Sequence, residues 1–111
     1  MSGCIICDIV AGTVPSDRLF QDDRVIAFRD AAPRAPLHAL VVPRMHVPML
    51  SELEDEGLGG HLLQVVRKVA ADAGYSDNFR LVVNNGDFAG QSVWHLHMHV
   101  LGGRQFTWPP G

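Results

Sequence analysis

His95-Leu96-His97-Met98-His99-Val100-Leu101 alternates histidine with apolar residues. Side chains on a β-strand point to opposite faces in turn, with a rise of about 3.3 Å per residue. The spacing therefore predicts three imidazoles on one face, neighbours about 6.6 Å apart, with Leu96, Met98 and Val100 on the other. The apolar face reads as core. The polar face leaves three uses for the rings. They could be solvated polar residues, or ligands of a zinc ion whose bound water is the nucleophile. Alternatively, one neutral imidazole could itself attack phosphorus while its second ring nitrogen is held by a hydrogen bond.

Upstream, Asn84-Asn85-Gly86-Asp87-Phe88-Ala89-Gly90-Gln91-Ser92 is a polar loop feeding into this strand. Gly90 would let backbone amides close on an oxyanion, and Ser92 adds a hydroxyl. A plain connector has the same composition. Phe79-Arg80-Leu81-Val82-Val83 precedes the loop as another strand.

Further back, Ser51-Glu52-Leu53-Glu54 fits a capping box and predicts a helix starting at Ser51. Gly57, Gly59 and Gly60 weaken its first part. Leu62, Leu63, Val65, Val66, Val69, Ala70 and Ala73 then carry an apolar stripe to Gly74. Residues 38–42 form an apolar run ended by Pro43, as a strand buried on both faces would. Residues 18–21 and 25–30 flank the acidic turn Asp22-Asp23 as a hairpin. Residues 4–11 have helical apolar spacing, with Gly12 as the stop and Pro15 beyond. The order helix, three strands, helix, two strands predicts an α+β fold, with a five-stranded, mostly antiparallel sheet in one domain, 1–111.

A formal net charge of -3 argues against nucleic-acid partners and anionic membranes. No apolar stretch approaches a membrane span, and no basic residues precede the first apolar ones, so the expected location is the cytoplasm. The only two cysteines, Cys4 and Cys7, are too close in sequence to close a useful disulfide loop, and read as metal ligands or a redox pair. A redox role expects a βαβ setting that this chain lacks. His61 reads as an ordinary surface or boundary residue.

Gly90-Gln91-Ser92-Val93-Trp94-His95-Leu96-His97-Met98-His99-Val100-Leu101 closely resembles the signature of the histidine-triad (HIT) superfamily. Gly102-Gly103-Arg104-Gln105 and the terminal Trp108-Pro109-Pro110-Gly111 resemble its Hint branch of nucleoside phosphoramidases. Residues 27–30, 35–38 and 43–46 also match, so the similarity spans essentially the whole chain.

The resemblance implies that His97 attacks the α-phosphorus of a purine nucleoside phosphoramidate, forming a nucleotidyl-histidine that water hydrolyses to the nucleoside monophosphate. His99 and the backbone amides near Gly90, Gln91 and Ser92 would hold the non-bridging oxygens. Ser92 would help the leaving nitrogen, and His38 would orient the nucleophile or relay a proton. Asn84 would lie on the phosphate and sugar side, and Asp30 would accept the ribose hydroxyls. Ile6, Ile9, Val14 and Phe28 would line the purine pocket, which Ala31 would loosen because many relatives carry a larger aliphatic residue there.

The bacterial zinc-binding members imply one structural Zn2+ per chain, held by Cys4, Cys7, His46 and His95. Resembling proteins pair two chains into a continuous ten-stranded sheet, so a homodimer is expected. Two alternatives are a dinucleoside polyphosphate hydrolase of another HIT branch, which the terminal Trp108-Pro109-Pro110-Gly111 disfavours, and a non-catalytic nucleotide-binding regulatory protein.

Overall fold

A computed structural model describes residues 3–111 of the chain. Helix α1 spans Ile5–Ala11, and strands β1, β2 and β3 span Arg18–Gln21, Val25–Arg29 and Leu37–Pro43. A short 3-10 turn at Leu50–Glu52 precedes α2, Glu56–Asp72, and strands β4, Arg80–Val82, and β5, Met98–Gly102, complete the fold. The strands form one sheet in the order β1-β2-β3-β5-β4, in which every neighbouring pair is antiparallel. This is the expected α+β architecture, with β5 inserted between β3 and β4. No helix among the described residues is long and apolar enough to cross a membrane.

Strand alternation divides the interior into two layers. Val25, Ala27, Leu37, Ala39, Val41, Met98 and Val100 face α2, which contributes Leu58, Leu62, Val65, Val66, Val69 and Ala70 at helical spacing. Ile26, Phe28 and Val42 face the other way and meet Ile6 and Ile9 of α1 in a smaller cluster. The α1 face beyond this cluster carries His38 and His99, so the site occupies sheet surface that α1 leaves uncovered.

The first turn of α1 is capped by Cys4, whose sulfur accepts the Cys7 N–H at 3.3 Å. Gly12 ends the helix in the left-handed region, with φ 82. Arg18 donates to the Ile9 carbonyl at 2.6 Å, satisfying one of the carbonyls left free at the helix end.

The structure corrects the expected start of the long helix. Ser51 lies in the 3-10 turn and its N–H donates to Asn85 Oδ1, whereas α2 begins after Asp55, whose Oδ1 accepts the Leu58 N–H at 3.0 Å. A carboxylate is a strong cap, and starting at Asp55 places Leu58 on the buried stripe. Gly57, Gly59 and Gly60 are all helical, while Leu63 and Ala73 lie outside the stripe, Leu63 being 46% exposed. His61 is paired with Asp22 at 2.6 Å, tying α2 to the β1–β2 turn. Asp55→Ala is expected to lower stability by about 1 kcal/mol through loss of the cap. Asp55→Asn, which can still cap, should cost less, and Ser51→Ala should stay within about 0.5 kcal/mol. Urea unfolding midpoints that reverse this order would contradict the assignment.

Candidate active site and metal centre

Strand β5 begins only at Met98, so the predicted strand over 95–101 is corrected at its front half. His95, Leu96 and His97 approach the sheet outside its ladder, with the Leu96 N–H donating to the Val47 carbonyl at 2.7 Å. The three imidazoles still lie on the side away from Leu96, Met98 and Val100, but they do not form one row of equivalent neighbours. His95 is fully buried and turns to the α1 N-terminus, whereas His97 and His99 keep each other company with ring centroids 5.0 Å apart.

Hydrogen bonds fix the state of each ring. The Arg34 N–H donates to His38 Nδ1 at 3.0 Å, so that nitrogen carries no proton in the neutral ring. His38 Nε2–H then donates to His99 Nδ1 at 2.9 Å, with Asp30 Oδ2 at 3.4 Å. His99 is left with its proton on Nε2. His97 Nδ1–H donates to the His95 carbonyl at 2.8 Å, so the Nε2 lone pair of His97 is free. Burial lowers the pKa of His38, an effect Asp30 opposes and Arg34 reinforces. Burial, with His97 and His38 beside it, pushes His99 down to about 4. Both rings are neutral at pH 7.

A cleft of about 370 Å³ opens beside these rings, lined among others by Asp30, Arg34, His38, Asn84 and His99. It brings four of the expected site residues together. Asp30 also accepts the Ala32 N–H through Oδ1 at 2.8 Å. Ser92 is exposed and lines a second recess with Cys4, Ile5, His46, Val93 and Trp94. Gln91, expected beside the nucleotide, is turned inward. Its side-chain amide donates to the carbonyls of Pro48 and Val93, its Oε1 accepts the Gly86 N–H, and its own N–H donates to the Gly86 carbonyl. It staples the loop that carries Asn84 and Ser92. Gly90 adopts φ 96 at the turn of that loop. Ile6, Ile9 and Phe28 are buried in the α1 cluster, outside the lining of the cleft, and Val14 is packed against them.

Cys4, Cys7, His46 and His95 place four ligand atoms within 4.8 Å of one another. Cys4 Sγ and Cys7 Sγ lie 3.5 and 3.4 Å from His95 Nδ1, Cys7 Sγ lies 3.3 Å from His46 Nδ1, and the two Nδ1 atoms are 3.2 Å apart. A tetrahedron built on Zn–S bonds of about 2.3 Å and Zn–N bonds of about 2.05 Å has S···N edges of about 3.5 Å and an N···N edge of about 3.3 Å. The residues fit the ion. His95 Nε2–H donates to the Pro43 carbonyl at 2.8 Å, which leaves Nδ1 as the lone pair a metal needs. Burial and the adjacent Cys4 raise the Cys7 thiol to about 11, so a cation is required to hold that sulfur as a thiolate. Three partners here were invisible in the sequence, namely the carbonyls of Pro43 and Val47 and the N–H of Arg34. Backbone groups carry no residue-type signal.

The family profile described as "HIT domain" matches residues 11–106. An uncharacterized HIT-like protein of Synechocystis sp. is 49% identical over 109 residues, covering 96% of each chain. A HIT family hydrolase from Legionella pneumophila has a crystal structure similar to this chain at a TM-score of 0.95, with 40% identity, covering 98% of this chain and 100% of that one. A histidine triad protein from Clostridium difficile matches at a TM-score of 0.90 with 39% identity over 96% of each chain.

The lowered His99 value has a signed consequence. The unfolded chain takes a proton near 6.5 while folded His99 waits until about 4, so this group removes stability progressively as pH falls between those values. In NMR titrations the His99 ring signals are expected to hold steady through 6.5 and move with a midpoint of about 4. A midpoint in the ordinary histidine range would contradict the buried, hydrogen-bonded geometry.

Proposed function

The chain belongs to the HIT-domain family, and from that premise we propose that it is a hydrolase of the Hint type, cleaving the P–N bond of purine nucleoside 5'-phosphoramidates. The observation that carries this reading is the hydrogen bond from His97 Nδ1–H to the His95 carbonyl at 2.8 Å, because it commits the ring proton to Nδ1, so that in the neutral form the lone pair for attack is on Nε2. The Legionella pneumophila relative is described as a HIT family hydrolase, which supports the general class.

In this mechanism His97 Nε2 attacks the α-phosphorus, the P–N bond to the amine breaks, and the amine leaves with a proton delivered through the Ser92 hydroxyl. His99 Nε2–H donates to a non-bridging oxygen as charge develops, and His38 holds His99 in that tautomer through its own bond to His99 Nδ1. Water then attacks phosphorus, breaking the bond to His97 and releasing the nucleoside monophosphate. Asp30 takes the ribose hydroxyls and Asn84 the sugar and phosphate side, both from the walls of the cleft. Gly90 and Gln91 act by shaping the loop. Ile6, Ile9 and Phe28 support the base side of the site as an apolar backing, since at 3%, 9% and 3% exposure they have little surface to offer a ligand.

One zinc ion per chain is assigned to Cys4, Cys7, His46 and His95. When bound it supplies a closed structural crosslink, with no position left for a reacting water. Arg80–Val82 is an edge strand, and pairing it with the same strand of a second chain would give the homodimeric ten-stranded sheet.

With adenosine 5'-phosphoramidate as substrate, His97→Ala is expected to reduce single-turnover hydrolysis by roughly a thousandfold or more, while His61→Ala, on the other side of the sheet, leaves it unchanged. A well-folded sample that turns over no nucleotide conjugate would overturn the reading. Elemental analysis should find one zinc per chain, lost in Cys4→Ser with a fall in thermal stability. Metal-free protein of unchanged stability would remove the metal from the account.

A further inference from the structure

His95 belongs to two constructions at once. Its ring points Nδ1 into the cysteine and histidine cluster, and its backbone carbonyl is the acceptor for His97 Nδ1–H. His97 and His99 are held very differently from one another. His99 lies within β5, where it is opposite Leu40 of β3 and Val82 of β4, so the ladder fixes its backbone on both sides. His97 precedes the first ladder pair, Val41 with Met98, and its ring is oriented by the bond to the His95 carbonyl.

The His95 carbonyl is only as well placed as His95 itself. That residue is outside every strand, and its ring is gripped at both nitrogens, Nε2–H by the Pro43 carbonyl and Nδ1 by the cluster. Without an ion the cluster is left with thiol–imidazole and imidazole–imidazole contacts of 3.2–3.5 Å, weaker than metal–ligand bonds, so the grip on His95 Nδ1 loosens. Once Nδ1 is released, the ring keeps only the Pro43 carbonyl, and the His95 carbonyl is free to shift about Leu96, which stays anchored by its buried side chain and its bond to Val47. His97 then loses its acceptor, and the tautomer protonated on Nε2, which has no lone pair to attack with, becomes populated.

We infer that His95 is a positioning residue through which occupancy of the Cys4, Cys7, His46 and His95 cluster sets the orientation and tautomer of His97. The inference rests on the proposed reading of the cluster as a metal site and of His97 as the nucleophile. It makes the metal a condition for the chemical step and leaves nucleotide binding aside, because Asp30, Asn84 and His99 do not depend on the 95–97 backbone.

The test compares zinc-loaded protein, protein stripped by a chelator, and His46→Ala, which removes an exposed ligand and leaves Cys4, Cys7 and His95 in place. Ring 15N spectra of His97 and hydrolysis of adenosine 5'-phosphoramidate are recorded on each. In the zinc-loaded protein His97 should show the single Nδ1–H form. In the stripped protein and in His46→Ala it should show a tautomer mixture, with kcat lowered roughly tenfold to a hundredfold at unchanged KM. Zinc returned to the stripped wild type should restore both.

A folded, metal-free sample with unchanged kcat and a pure Nδ1–H spectrum overturns the inference, and so does a loss confined to KM. If stripping unfolds the chain, His46→Ala decides by the same criteria. If the zinc-loaded protein hydrolyses nothing, the functional reading fails, and the His97 spectra alone judge the coupling.

Discussion

The antiparallel pairing of β3 with β5 is the constraint on which the rest of this molecule depends. Its register sets His38 opposite Leu101 and Leu40 opposite His99, which makes His38 and His99 diagonal neighbours on one face and lets their rings meet at 2.9 Å. The same pairing turns Ala39, Val41, Met98 and Val100 to the other face, under α2. A one-residue slip of β5 against β3 would send His99 into the apolar layer and bring Met98 and Val100 to the site face. Burial of the α2 face and hydrogen bonding of the site face thus select one register, and packing and chemistry are specified together.

The site is built on supports of unequal stiffness. His38 and His99 ride on central strands, so their mutual bond, with the Arg34 N–H behind it, comes preorganised. His97 lies one residue before the ladder, where a single backbone carbonyl governs its ring. Asn84 and Ser92 hang on a loop whose shape is held by the buried Gln91 amide. Helix α1 has seven residues and a small apolar footprint, so a crosslink from its first turn to His46 and His95 has more to add there than under the broad α2 layer.

The parts of this picture that were legible in the sequence are those with a period or a motif. The β3 run into Pro43, the hairpin around Asp22-Asp23 and the stripe from Leu62 to Ala70 read directly, because burial repeats at the strand or helix period. The start of α2 is ambiguous in the sequence because Ser51 and Asp55 are both competent caps, and what selects Asp55 is the placement of Leu58 in the core. Alternation through His95–Leu101 suggested one continuous strand, yet alternation records which side chains are buried and not which backbone groups find a partner. At His95 and His97 the side-chain parity survives while the ladder is absent. Gln91 reads as a polar loop residue and is 4% exposed, since its side-chain amide satisfies three backbone groups from inside. The Cys4-x-x-Cys7 spacing is suggestive only, and His46 and His95 join it through the family resemblance alone; their convergence depends on where α1 lands on the sheet.

The central claim is that one imidazole, His97, becomes bonded to phosphorus because its Nδ1–H is held and its Nε2 is free. The most direct measurement is mass spectrometry of wild-type protein quenched during a single turnover of adenosine 5'-phosphoramidate, followed by peptide mapping. The account predicts an adenylyl group on the peptide containing His97, located on that residue by fragmentation and absent from His97→Ala. Full hydrolysis with no adduct at any quench time, or with the adduct on His95 or His99, would contradict it.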